Sequence, residues 1–159
     1  MSQLTAVLAE LVKDEVASVH QVFSGPVGGD ALLILDPSAA AMLKELLTDE
    51  PALPLALDAS SREVLTEVGN ILLNACIGTF GNLLRVPVSF SVPDIDVATL
   101  QVVVDRLLTN DDAFRYALIV SAGFRLRDAE VTGYVVIVLT VQSLTRLLIA
   151  VEEWERREA

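Results

Sequence analysis

Residues 31–47 read ALLILDPSAAAMLKELL, and residues 135–151 read VVIVLTVQSLTRLLIAV. Each opens on an apolar run of strand length and passes into apolar positions at helical spacing. The two segments align at a constant offset that matches Gly29 with Gly133, Leu35 with Leu139 and Leu43 with Leu147. In the first, Asp36 is placed to cap a helix and Pro37 to occupy its first position. Working outward, Val16 to Ser24 is valine-rich and enters a turn through Gly25-Pro26 and Gly28-Gly29, so with Ala31 to Leu35 it predicts a hairpin. Tyr116 to Leu126 and Val131 to Thr140 predict a second hairpin, with Phe124 matching Phe23. Ahead of the hairpins, Leu4, Leu8 and Leu11 match Leu100, Val104 and Leu107 at helical spacing. The reading is therefore one unit, helix-strand-strand-helix, used twice.

Between the units lie a proline-bearing connection, Thr48 to Ser61, a long helix from about Arg62 to Leu84, and a strand over Val86 to Val92. A helix is expected over Val97 to Leu108, and a last one from Val141 to about Arg156. The long helix and its strand have no counterpart ahead of the first unit. The expected fold is α/β: a single domain over 1–159, with a mixed sheet of about five to six strands and two long helices together on one face. The first hairpin is expected to present an apolar face or an unpaired edge, and a homodimer through the first half of the chain to cover it.

Composition narrows the function. The chain has 159 residues, 53% of them hydrophobic and only 5% aromatic, and a formal net charge of −11. An acidic surface with few rings for stacking disfavours nucleic acid, and the same charge disfavours an anionic membrane. One histidine, His20, and one cysteine, Cys76, leave no zinc site of the His/Cys kind and no internal disulfide. Both read as structural residues, as does Trp154. Residues 1–13 lack the basic start and apolar run of a signal peptide. The longest uncharged stretch, Val68 to Leu84, carries Asn70, Asn74, Thr79 and Asn82, which argues against a membrane span. The expectation is a cytoplasmic protein.

The long helix holds the candidate site. Glu63, Glu67, Asn70 and Asn74 are separated by four, three and four residues and form one polar stripe on an otherwise apolar helix. The stripe continues through Gly78 and Gly81, where a missing side chain lets another surface approach. It reads either as a solvated face or as a site; solvated faces here are usually charged, and asparagine is a poor helix former.

Glu67-Val68-Gly69-Asn70-Ile71-Leu72, with Pro93 ending the following strand, resembles the CheC, CheX and FliY family of chemotaxis phosphatases. The family signature runs Asp or Ser, three residues, Glu, two residues, Asn, twenty-two residues, Pro. Glu67, Asn70 and Pro93 match it. The position four before Glu67 is Glu63, where the signature has Asp or Ser; Glu63 also has capping-box spacing from Ser60. CheC proteins usually carry two signature helices, and this chain carries one.

The resemblance implies hydrolysis of the aspartyl-phosphate on a CheY-like response regulator. The regulator brings its own Mg²⁺ and lysine, so this chain needs no cofactor of its own and has only to place water in line with the leaving oxygen. A neutral carboxamide suits that task, which points to Asn70. Glu67 is implied to pair with the regulator's active-site lysine. Asn74 either touches the partner or completes the wet stripe, and Pro93 shapes the adjacent surface. A second reading is a non-catalytic adaptor of the same fold, binding a response regulator, a CheD-like deamidase or a flagellar-switch-like assembly.

Overall fold

The computed structural model describes residues 3–11, 15–48, 59–108, 115–126 and 129–159. In chain order the elements are α1 (Gln3–Leu11), β1 (Glu15–Ser24), β2 (Gly29–Leu35), α2 (Pro37–Thr48), α3 (Ala59–Leu84), β3 (Ser89–Phe90), β4 (Asp94–Thr99), α4 (Leu100–Leu108), β5 (Arg115–Leu126), β6 (Ala129–Thr140) and α5 (Val141–Glu158). Six strands form one sheet in the order β3-β1-β2-β6-β5, with β4 also paired to β1.

Every pairing is antiparallel, where a mixed sheet was expected. The reason lies in the repeat. Each unit closes its own hairpin, and the two hairpins meet through β2 and β6 running in opposite directions, as a two-fold relation requires. Leu32 sits opposite Val136 in that central pair, and these are the residues that the repeat alignment makes equivalent. The glycines confirm the relation. A Cβ on Gly29 would lie 2.1 Å from the Val138 carbonyl oxygen and 3.2 Å from Leu139, while one on Gly133 would meet Leu35 at 2.7 Å and the Ile34 carbonyl oxygen at 3.3 Å. Each glycine makes room for the leucine of the other unit.

Register corrects one detail. Gly29 faces Phe23 and Gly133 faces Ala122, so Phe23 corresponds to Ala122 and not to Phe124. A slip of two residues keeps the same face of a strand, so alternation alone could not detect it.

Helices cover both faces. On one, α2 and α3 bury Leu43, Leu65, Leu73 and Ile77 against Val19, Leu33, Leu35, Val135 and Leu139, and α5 packs Leu144 and Leu147 against the same cluster. On the other, α1 and α4 bury the matched pair Leu8 and Val104 against Val16, Leu32, Ile34 and Val136. Each such side chain contributes about 1.5–3 kcal/mol on burial. The two long helices, α3 and α5, do lie in contact on one face. Asp36 caps α2 as expected, its carboxylate accepting from the Ala39 N–H at 2.7 Å.

Four further expectations change. The first hairpin is neither an edge nor an exposed face; it lies inside the sheet, whose ends are β3 and β4 on one side and β5 on the other, β5 being paired to β6 alone among the described residues. Of the strand expected over 86–92 only Ser89–Phe90 is paired, as β3, and a further strand, β4, starts after Pro93, which has no N–H to give a ladder. Val97 to Thr99 belongs to β4, and the helix starts only at Leu100. Finally, α3 begins at Ala59, so Ser60 is already helical and does not occupy the capping position of a box with Glu63.

Candidate functional site

The helix α3 rests on the sheet through Leu65, Gly69, Leu73, Ile77, Gly81 and Leu84, all buried. Rows of residues four apart wind around a helix, so the contact line rotates along its length. That rotation grades the polar stripe. Glu63 and Glu67 are exposed, whereas Asn70 and Asn74 are half-buried at the flank, where the helix meets the sheet. Gly69 makes the approach possible: a Cβ there would sit 2.6 Å from Val19 on β1. Gly78 is open, with nothing within 4 Å, but Gly81 is closed against the Val86 carbonyl and Val88, so only the first continues an accessible stripe. The helix stops at Arg85, which takes φ 57° while the Val86 N–H donates to the Gly81 carbonyl at 2.8 Å. This stop turns the chain back to lay 89–99 along β1.

Between β3 and β4 the ladder on β1 breaks, and the gap is filled by Ser91. The Ser91 N–H donates to the Val22 carbonyl at 2.8 Å, and the Val22 N–H donates to Ser91 Oγ at 2.9 Å. Beneath this gap lies Gln21, 1% exposed. Its Nε2 donates to the Ser91 carbonyl at 2.9 Å and to Asn70 Oδ1 at 2.9 Å. Asn74 Nδ2 donates to the same Asn70 oxygen at 3.1 Å. One network thus ties Asn70 and Asn74 to the segment that ends in Pro93. Two acceptors in it, Gln21 Oε1 and Asn74 Oδ1, are buried without a partner among the described residues.

The structure therefore brings Asn70, Asn74 and the Pro93 segment together and leaves Glu63 and Glu67 on the exposed side of the same helix, unpaired among the described residues. Gln21 is the residue that the sequence did not announce. A single glutamine in a valine-rich strand carries no signal until register sets it under the break between β3 and β4. His20, one residue away on the opposite face, is a structural residue bonded to Asp30 at 2.8 Å. Cys76 packs against the core, and burial raises its thiol pKa. Among the described residues no three His, Cys, Asp or Glu side chains gather to hold a metal. Residues 62–84 are long and apolar enough to cross a membrane by composition, but here that helix packs on the sheet and carries the asparagines at its middle.

No family profile matches the sequence, and no curated protein matches it either. Solved structures do. FliY from Thermotoga maritima superposes with a TM-score of 0.73 at 14% identity, over 96% of this chain and 78% of that one. CheX in the CheX–CheY–BeF3–Mg²⁺ complex from Borrelia burgdorferi superposes with a TM-score of 0.53 at 20% identity, over 85% of this chain and 92% of that one. The antiparallel sheet, the paired long helices and these superpositions together give this chain the fold of the CheC, CheX and FliY proteins.

Proposed function

We propose that this chain is a cytoplasmic protein phosphatase that hydrolyses the aspartyl-phosphate of a CheY-like response regulator. The observation that carries the reading is the stripe on α3. An asparagine anchored by two donors stands one turn from an unpaired, exposed glutamate, on the helix where the signature expects both. The fold likeness to a CheX that is bound to CheY supports the choice of partner.

In this reading α3 docks against the phosphorylated regulator. Glu67 pairs with the regulator's lysine, and the pair fixes the register of the helix. Asn70 then lies at the phosphoryl group. Its oxygen is already engaged, so its amide N–H groups act: one donates to the attacking water and the other reaches a phosphoryl oxygen; as the water oxygen bonds to phosphorus the bond to the aspartyl oxygen breaks, the aspartate leaves as its carboxylate, and the water's proton passes to the phosphate. A carboxylate at this position would repel the phosphoryl group. The Mg²⁺ belongs to the regulator. Asn74 holds Asn70 and borders the contact; Glu63 adds charge at the rim. A homodimer is part of the proposal; the interface expected in the first half moves to the outer edge of β5, because the first hairpin lies inside the sheet.

The adaptor reading, with a response regulator, a CheD-like deamidase or a switch-like assembly as its partner, draws on one observation: a single signature helix with Glu63 where the signature has Asp or Ser. A phosphate-release assay with a panel of phosphorylated response regulators separates the two. Accelerated release with at least one regulator supports the phosphatase; tight binding with no acceleration supports the adaptor.

A further inference from the structure

We propose that Gln21 is a positioning residue that sets which end of the Asn70 amide faces the partner. The Ser91 carbonyl can only accept. The Gln21 atom that faces it at 2.9 Å must therefore be the nitrogen. The same nitrogen lies 2.9 Å from the Asn70 side chain, so Asn70 must present its oxygen inward. Asn74, at 3.1 Å from that oxygen, must then donate. Each amide orientation follows from the one before, and a backbone carbonyl fixes the first. What remains is the Asn70 amide nitrogen, which has no partner among the described residues and is turned away from the network. The site offers its partner two N–H donors, a choice fitted to an anionic ligand such as a phosphoryl group.

Two further observations separate this from ordinary packing. Gln21 is almost fully buried, yet its oxygen and that of Asn74 find no donor among the described residues, a costly arrangement for a merely structural residue. The second unit supplies the control. Gln21 pairs with Ala31 on β2, and Ala31 corresponds to Val135, which pairs with Val120. At the equivalent register position, on a strand that no helix like α3 crosses among the described residues, the chain carries a valine. The glutamine is present only where the asparagine is.

The activity arm of the test rests on the phosphatase reading; the spectroscopic arm does not. Gln21→Met and Gln21→Leu remove the donor while retaining an apolar filling of the strand face. With a phosphorylated response regulator, a folded variant is expected to lose at least roughly tenfold in kcat through misplacement of Asn70, with KM within about twofold of wild type because Glu67 and the docking surface are untouched. In ¹⁵N-labelled full-length protein without any partner, the Asn70 side-chain amide resonances are expected to shift and broaden in the variants, as the amide samples both orientations. Wild-type Asn70 side-chain resonances in both folded variants would overturn the proposal. If wild type itself releases no phosphate from any regulator, the phosphatase reading fails, and these resonances alone decide the role of Gln21.

Discussion

The two units share a layout and differ in what lies beside the outer strand. In the first, β1 is flanked by β3 and β4 and crossed by α3, and a polar network fills the break between the short strands. In the second, β5 has β6 on one side and no further partner among the described residues. The sheet itself treats the halves alike, as the Leu32–Val136 axis and the reciprocal glycines show. The site therefore belongs to the insertion between the units and to the one strand beneath it, and not to the repeat. The two halves can share one core while the site is built beside only one of them, because the core lies at the centre of the sheet and the site at its rim.

The largest effect expected is on the rim of the first unit. Asn70→Ala should cut phosphate release from a phosphorylated regulator by roughly 10² to 10³, or about 3–4 kcal/mol, by analogy with deleting one transition-state donor. The variant should still fold, with a modest fall in melting temperature, because Gln21 and Asn74 lose the oxygen to which both donate. Unchanged release kinetics would return the stripe to the role of a solvated helix face.

Next come the paired glycines, where the symmetry can be made to fail. At Gly29 a Cβ would strike a backbone oxygen at 2.1 Å, whereas at Gly133 the 2.7 Å contact is with the end of a leucine side chain that can turn aside. Gly29→Ala should cost about 3 kcal/mol and Gly133→Ala about 1 kcal/mol, within the usual range for overpacking. Chemical denaturation of the two variants measures both, and equal losses would show that the halves are packed more alike than these contacts imply.

The two glutamates come third. Glu67→Gln should weaken the complex with the phosphorylated regulator by about 1–2 kcal/mol while leaving thermal stability unchanged. Since Ser60 lies inside α3, Glu63→Ala should alter stability by no more than about 0.5 kcal/mol. A clear loss of stability at Glu63 would mean that the start of α3 depends on it after all. The smallest effect is at the helix stop: Arg85 holds a left-handed conformation that favours glycine, so Arg85→Gly should gain about 0.5–1 kcal/mol in a denaturant melt.

Much of this was legible in the order of residues. Strand and helix periods survive repetition, so both hairpins, α2, α3, α5 and the repeat could be read from apolar spacing, and Asp36 from the chemistry of caps. The errors fall where spacing is silent. The alternation over 86–92 ends before Pro93 and gives no sign that pairing resumes at Asp94, Val97 to Thr99 suits a strand as well as a helix, and Phe124 is two residues from the true match to Phe23 and so shares its strand face. The stripe was legible as Glu63, Glu67, Asn70 and Asn74, because helical spacing puts them on one side. Its grading from exposed to half-buried was not, since that depends on the angle at which α3 crosses the sheet. Gln21 was not legible at all: its partner Asn70 lies forty-nine residues away, and only strand register brings them together.

The central claim is that the stripe on α3 acts on an aspartyl-phosphate, and phosphate release from a panel of phosphorylated CheY-like response regulators tests it most directly. The account predicts that wild type accelerates release from at least one of them and that Asn70→Ala abolishes the acceleration while still binding. Binding of a regulator by wild type with no change in its rate of dephosphorylation would contradict it.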